Sequence, residues 1–228
     1  MPIEAVIFDL DGTLANFNLD YKTLRSEVRS YLIRMSVPTS VVDVNESIFE
    51  MLKKAEIFLK HQDKSKPAGA FEEVRLQAFA IAEKYEMAAA SATSLQVGAN
   101  ETLKELKRMK SKIGLCSTSN EKAVNYILQR FKIQDFFQVV VSRDKVKYVK
   151  PSTEQFEVAL KELGVTPQAT LIVGDSTVDM QSAKELKAVA VGLPTGVSTM
   201  EQLKNNGANY IITSLTDLPT LIKEINKN

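Results

Sequence analysis

Asp9 and Asp11 stand two residues apart in the run Val6-Ile7-Phe8-Asp9-Leu10-Asp11-Gly12-Thr13, at the end of a short apolar stretch. A stretch of that kind, Ile3 to Leu10, reads as a buried strand that ends in a turn. Far along the chain, Ser117-Thr118-Ser119-Asn120 follows a second apolar run, and Lys150-Pro151 precedes a helix-like segment. A third run ends in Gly174-Asp175-Ser176, with Asp179 four residues after Asp175. If these runs are parallel strands, their carboxyl ends share one edge, which is where ligands bind in open α/β sheets. Carboxylates, a hydroxyl and a lysine then gather in one place. Together they could hold a metal ion and a phosphoryl group.

The elements that must position these residues can be read from periodicity. After Gly98 the pattern alternates. Helices are expected over Asn100–Lys110, Glu121–Phe131, Thr153–Leu163, Val178–Leu186 and Asp217–Ile225. Strands are expected over Ile113–Cys116, Phe137–Val141, Thr170–Val173, Ala188–Val191 and Tyr210–Thr213. Such alternation means a parallel sheet covered on both faces. Ser152 is expected to cap the Thr153 helix with Gln155 as its reciprocal partner, and Gly164 to end it. Between Phe17 and Ser94 the spacing is helical throughout: Leu24, Val28, Tyr31 and Leu32, then Ile48, Met51, Leu52 and Ala55, then Phe71, Val74, Ala78 and Phe79. Breaks fall near Val37-Pro38-Thr39 and Lys66-Pro67-Ala68-Gly69. The fold class expected is α/β, a Rossmann-like parallel sheet core covered by helices, with an inserted all-helical cap domain. The core covers 1–16 and 96–228 and the cap 17–95, with hinges near Ala15–Asn18 and Ser94–Gly98.

Composition narrows the chemistry. Lys+Arg total 29 against 28 for Asp+Glu, so no positive excess favours nucleic acid or a membrane surface. No apolar run reaches the length that spans a bilayer, and Met1-Pro2-Ile3-Glu4 runs directly into a strand without a leader. One cysteine, Cys116, excludes an internal disulfide and fits a reducing compartment, so a cytoplasmic location is expected. With only His61 and one cysteine, a zinc site of the usual His/Cys kind is not expected. A metal here must be held by oxygen, which points to magnesium.

The four segments resemble, in order and spacing, the motifs of the haloacid dehalogenase superfamily in its phosphatase branch. The likeness covers about Met1–Asn16 and Gly98–Thr213, and the helical insertion after the first motif matches the subclass with a helical cap there. The resemblance implies that Asp9 attacks phosphorus and forms an aspartyl-phosphate, while Asp11 protonates the leaving oxygen and then activates water. It implies that Ser117 and Lys150 hold phosphoryl oxygens, with Thr13 and Thr118 as further candidates. It implies Mg2+ held by Asp9, Asp175 and the backbone carbonyl of Asp11, with Asp179 supporting the site from close by. Gly12 would permit a turn that brings backbone amides toward the phosphate. The chain departs from the family pattern at Ser152-Thr153 and at Glu185-Leu186-Lys187-Ala188, neither of which carries a chemical role.

Simpler readings stand beside these. Ser117, Thr118 and Ser119 could be helix caps, Asp179 could favour a helix N-terminus, Cys116 could be a small buried apolar residue, and Lys145, Lys147 and His61 read as surface residues. Tyr21, Lys22, Arg25 and Arg29 could meet a leaving group or merely be solvated. The expected substrate is a small phosphorylated metabolite: phosphoglycolate-, sugar-phosphate- or nucleotide-like. A phosphomutase of the beta-phosphoglucomutase type shares every motif. A non-catalytic phospho-accepting module is the rival from another class.

Overall fold

The computed structural model describes residues 2–16, 18–62 and 70–227. The expected break at 66–69 lies outside them. The chain divides into two compact units, one of residues 1–17 with 90–228 and the other of residues 18–89.

The first unit is a six-stranded parallel sheet. Strands β1 (Ala5–Phe8), β4 (Lys112–Cys116), β5 (Val139–Val141), β6 (Thr170–Gly174), β7 (Val189–Gly192) and β8 (Tyr210–Ile211) run in the order β5-β4-β1-β6-β7-β8. Every residue of β1 and β6 is buried, as a central strand covered on both faces requires. Helices α4 (Ala99–Arg108), α5 (Glu121–Arg130), α6 (Glu154–Leu163), α7 (Thr177–Leu186), α8 (Met200–Asn205) and α9 (Leu218–Ile225) connect and flank the strands. One core cluster joins Ile7, Val139 and Ile172 of the sheet to Phe156, Leu160, Leu163, Met180 and Ala183 of α6 and α7.

Register sets the functional edge. Phe8 pairs with Leu115 on one side and Val173 on the other. Asp9, the next residue, donates its amide to the Val173 carbonyl at 2.9 Å, so it leaves the sheet level with the ends of β4 and β6. The chain passes from β1 to one side of the sheet and later to the other, which makes the end of β1 the switch point.

Two local expectations are corrected. Helix α5 is capped by Asn120, extended at φ −67° and ψ 159°, whose side chain accepts from the Ala123 amide; residues 117–119 do not cap it. Helix α6 has Thr153 at its N-cap position, with its hydroxyl turned to Glu157; Ser152 Oγ accepts from the Glu154 amide at 3.4 Å, but Gln155 turns inward and does not complete the reciprocal bond. Gly164 does end α6, left-handed at φ 60°.

The second unit contains α1 (Tyr21–Arg34), α2 (Ile48–Gln62) and most of α3 (Ala70–Ala92). Leu24, Val28 and Leu32 pack with Ile48, Met51, Leu52 and Ala55 and with Phe71 and Ala78, the spacings that predict amphipathic helices. Asp20 caps α1, and Ser47 with Glu50 forms a reciprocal cap before α2. Arg29 donates to the carbonyls of Val42 and Thr39, tying α1 to the loop before α2. Arg25 lies over the Tyr21 ring and reaches the Asn45 carbonyl. His61 is exposed.

The last turn of α3 belongs to the sheet unit, where Arg130 donates to the carbonyls of Ala90 and Ser91. Also within the sheet unit, β2 (Ala15–Asn16) pairs antiparallel with β3 (Ser94–Leu95), and Thr93 donates to the Asn16 carbonyl.

Candidate active site

Asp9 is 6% exposed at the end of the central strand. Its Oδ1 accepts from Lys150 Nζ at 2.5 Å, and the same ammonium donates to Asp179 Oδ1 at 2.7 Å and to the Cys116 carbonyl at 3.1 Å. All three hydrogens of Lys150 are thereby used in a buried site. The Lys150–Pro151 peptide is cis. Lys145 and Lys147, in contrast, are exposed.

Asp175 follows β6 and is 2% exposed. Its Oδ1 accepts from Thr13 Oγ1 at 3.2 Å and its Oδ2 from the Val197 amide at 2.9 Å. Asp179 sits in the first turn of α7, where Ser176 donates both its amide and its hydroxyl to Oδ2. The simple reading of Asp179 as a helix-start residue is therefore true of one of its oxygens, while the other faces Lys150. Oxygens of Asp9, Asp175 and Asp179 all lie within 4.8 Å of one another.

Asp11 lies two residues beyond Asp9. Its Oδ2 accepts from Ser117 Oγ at 3.0 Å and Ser119 Oγ at 2.7 Å, while the Ser119 amide donates back to Ser117 Oγ. The loop after β4 therefore grips Asp11 with two hydroxyls. Thr118 is half-buried between them, and its carbonyl accepts from Arg143. Thr13, fully buried, faces Asp175. Gly12 does take up positive φ, +93°. The turn aims its amides inward, however: Gly12 donates to the Ala15 carbonyl, and Thr13, Leu14 and Ala15 all donate to the Leu10 carbonyl. Amides 12–15 are thus consumed within a tight turn.

Burial governs the electrostatics. Desolvation pushes the Asp9 carboxyl up to about 8, with Asp179 and Asp175 adding to the rise and Lys150 opposing it. Desolvation likewise lifts Asp175 to about 6, with Asp179 adding to it and the Val197 amide and Lys150 opposing it. Burial also disfavours the charged form of Lys150, but Asp179 and Asp9 outweigh it and hold the ammonium well above the usual lysine range. Cys116 is buried and its thiol is pushed up by desolvation, so it behaves as a small apolar residue. With Asp9, Asp175 and Asp179 all ionised, one lysine would leave the cluster two charges short of neutrality. A divalent cation would cover that deficit, and an all-oxygen donor set suits a hard one. The packing leaves room only for glycine around two of the acids. A Cβ at Gly196 or Gly12 would stand 1.9 or 2.6 Å from Asp175 Oδ2, and one at Gly174 2.4 Å from Asp179.

Some residues of the site escape a motif reading. Ser119 reads locally as a cap and proves to hold Asp11. The loop after β7 contributes Gly196 and Val197 around Asp175, and Thr195, which donates to the Gly12 carbonyl at 2.6 Å. The signal for that loop was the strand end at Val191, one strand beyond the last motif.

These features are those of an α/β enzyme with a buried acid cluster at the carboxyl edge of its sheet. The sequence model of the haloacid dehalogenase-like hydrolases matches residues 6–193. The chain belongs to that family of hydrolases. Among curated relatives, pyrophosphatase PpaX of Bacillus mycoides is 27% identical over 235 residues, covering 99% of this chain and all of that one. A hydrolase from Pseudomonas syringae has the same fold at a TM-score of 0.66 and 22% identity, over 97% of this chain and 98% of its own. A protein of Haemophilus somnus, described as a predicted phosphoglycolate phosphatase, aligns at 0.64 and 21% identity, over 96% and 97%.

Proposed function

We propose that the protein hydrolyses a small phosphorylated molecule, using Asp9 as nucleophile and magnesium as cofactor. The observation that carries this reading is Asp9 itself: a buried carboxylate at the switch point, 2.5 Å from a buried lysine and clustered with Asp175 and Asp179.

An Asp9 oxygen attacks phosphorus, the bond to the leaving oxygen breaks, and an aspartyl-phosphate forms on Asp9. Asp11, held by Ser117 and Ser119, gives its proton to the leaving oxygen. It then takes a proton from the water that cleaves the intermediate. Lys150 counters the charge on Asp9 and on the phosphoryl oxygens, and Ser117, Thr13 and Thr118 are the candidates to meet those oxygens. Asp9, Asp175 and the Asp11 carbonyl, with Asp179 beside them, would hold magnesium, which would supply positive charge against the dianionic phosphoryl group.

The substrate is a small compound, because the acid cluster recognises only a phosphoryl group and the helical unit of residues 18–89, acting as the cap, chooses the rest. Inorganic pyrophosphate belongs on the test panel beside phosphoglycolate, sugar phosphates and nucleotides, given the name borne by the full-length relatives. No observation favours a mutase or a phospho-accepting switch. A reducing, cytoplasmic setting fits the single buried thiol, and no described helix is long and apolar enough to cross a membrane.

The test is phosphate release across that panel, with and without magnesium, for the wild type and Asp9→Asn. Activity that requires magnesium and vanishes in Asp9→Asn is expected. Uniform inactivity of the wild type, or an unimpaired Asp9→Asn, would overturn the assignment.

A further inference from the structure

Helix α6 presents Gln155, Phe156, Ala159, Leu160 and Leu163 to the interior, and among these Gln155 alone is polar. It is 0% exposed. Burying a side-chain amide is unfavourable unless all its groups are bonded, and here they are. Oε1 accepts from the Lys150 amide at 3.3 Å, and Nε2 donates to the carbonyls of Ser117 at 2.7 Å and Val141 at 3.2 Å. These partners come from three separate segments: the loop after β4, the end of β5 and the segment before α6. Two of the three are the backbones of Ser117 and Lys150. An apolar residue of similar size would fill the same space without joining them.

We infer that Gln155 is a positioning residue that fixes the spacing between Ser117 and Lys150, and so between the hydroxyl on Asp11 and the ammonium on Asp9. The inference rests on the phosphatase reading of the site. Its effect is on the preorganised arrangement that favours the transition state over the ground state. Loss of the amide should therefore weaken a pentacoordinate mimic more than a tetrahedral product.

The experiment compares wild type, Gln155→Met and Leu160→Ala, the last removing buried volume from the same helix without touching either loop. Orthovanadate and inorganic phosphate are titrated into each protein with magnesium present, and kcat and KM are measured on p-nitrophenyl phosphate. Gln155→Met should lose about tenfold in vanadate affinity and in kcat, on the scale of a buried hydrogen bond, with a smaller change for phosphate. Leu160→Ala, at comparable thermal stability, should lose neither. If Gln155→Met does not fold, Gln155→Asn keeps the amide but is one carbon too short to span the loops, and it should show the same preferential loss. Vanadate affinity and kcat that follow Leu160→Ala, or a Gln155→Asn equal to wild type, overturn the role of Gln155 alone. A wild type that neither binds vanadate nor releases phosphate from any compound overturns the phosphatase reading and this inference with it.

Discussion

In the sheet unit, the side chain of Lys150 is 2% exposed between two carboxylates that lie 141 and 29 residues away in sequence. In the helical unit, Lys54, Lys60 and Arg75 pair with Glu46, Glu56 and Glu72 within eight residues, on the surface. The same residue types thus do different physical work. An exposed pair is bathed in water and contributes little. A buried one must be compensated on every side, and removing a partner strands the others. Charge that a fold has gone to the trouble of enclosing marks where its chemistry lies.

Four measurements test this contrast between the two units. Lys150→Met should have the largest effect: turnover lower by about a hundredfold or more, and unfolding free energy lower by about 3 kcal/mol as Asp9 and Asp179 lose their shared cation. Lys54→Met should leave the urea midpoint nearly unchanged. Equal losses in the two variants would erase the distinction between the units.

Asp11→Asn comes next. It should slow hydrolysis of alkyl phosphates by about a hundredfold, the scale of general acid catalysis. p-Nitrophenyl phosphate, whose leaving oxygen needs no proton, should suffer less, and the ratio of the two rates is the measurement.

A third test concerns pH and metal. Asp9 and Asp175 titrate in the fold at about 8 and about 6, both above 3.8. Between pH 4 and 8 the folded chain therefore holds protons that the unfolded chain has released, so stability falls as pH rises through that window. In chelator, the melting temperature should drop by several degrees from pH 5 to pH 8. Bound at these acids, magnesium would displace those protons, and its stabilisation should be greater at pH 8 than at pH 5. A melting temperature in chelator that climbs over this range would contradict the burial of these acids.

Arg29→Gln should do least. It loses bonds to two loop carbonyls and about 1 kcal/mol of stability, with turnover on p-nitrophenyl phosphate within twofold. A collapse of turnover would place Arg29 at the substrate and bring the helical unit into the chemistry.

Much of the sheet was legible in the sequence because fully buried parallel strands are short apolar runs, and β1, β4 and β6 have no competing pattern. Asp9, Lys150, Asp175 and Asp179 could be brought together in advance because topology alone aligns strand ends. Gln155 and Ser119 could not. Each lies where a local capping rule offers a ready explanation, and each takes its partners from distant segments: Ser117 and Val141 for Gln155, Asp11 for Ser119. The short helix α8 and the loop carrying Thr195–Val197 fell below what periodicity resolves. Arg29 read as a possible substrate contact because periodicity shows which way a side chain leaves a helix, not what its far end meets.

The three glycines at positions 12, 174 and 196 constrain how this protein can change. Around Asp175 and Asp179, even a methyl group would collide with a carboxylate. Neutral drift is therefore closed at these positions while it stays open across the exposed faces of the helical unit. A library built to give the enzyme a new substrate should hold the three glycines constant and spend its diversity on residues 18–89. Variants recovered with a replaced glycine should carry a second change at the neighbouring acid.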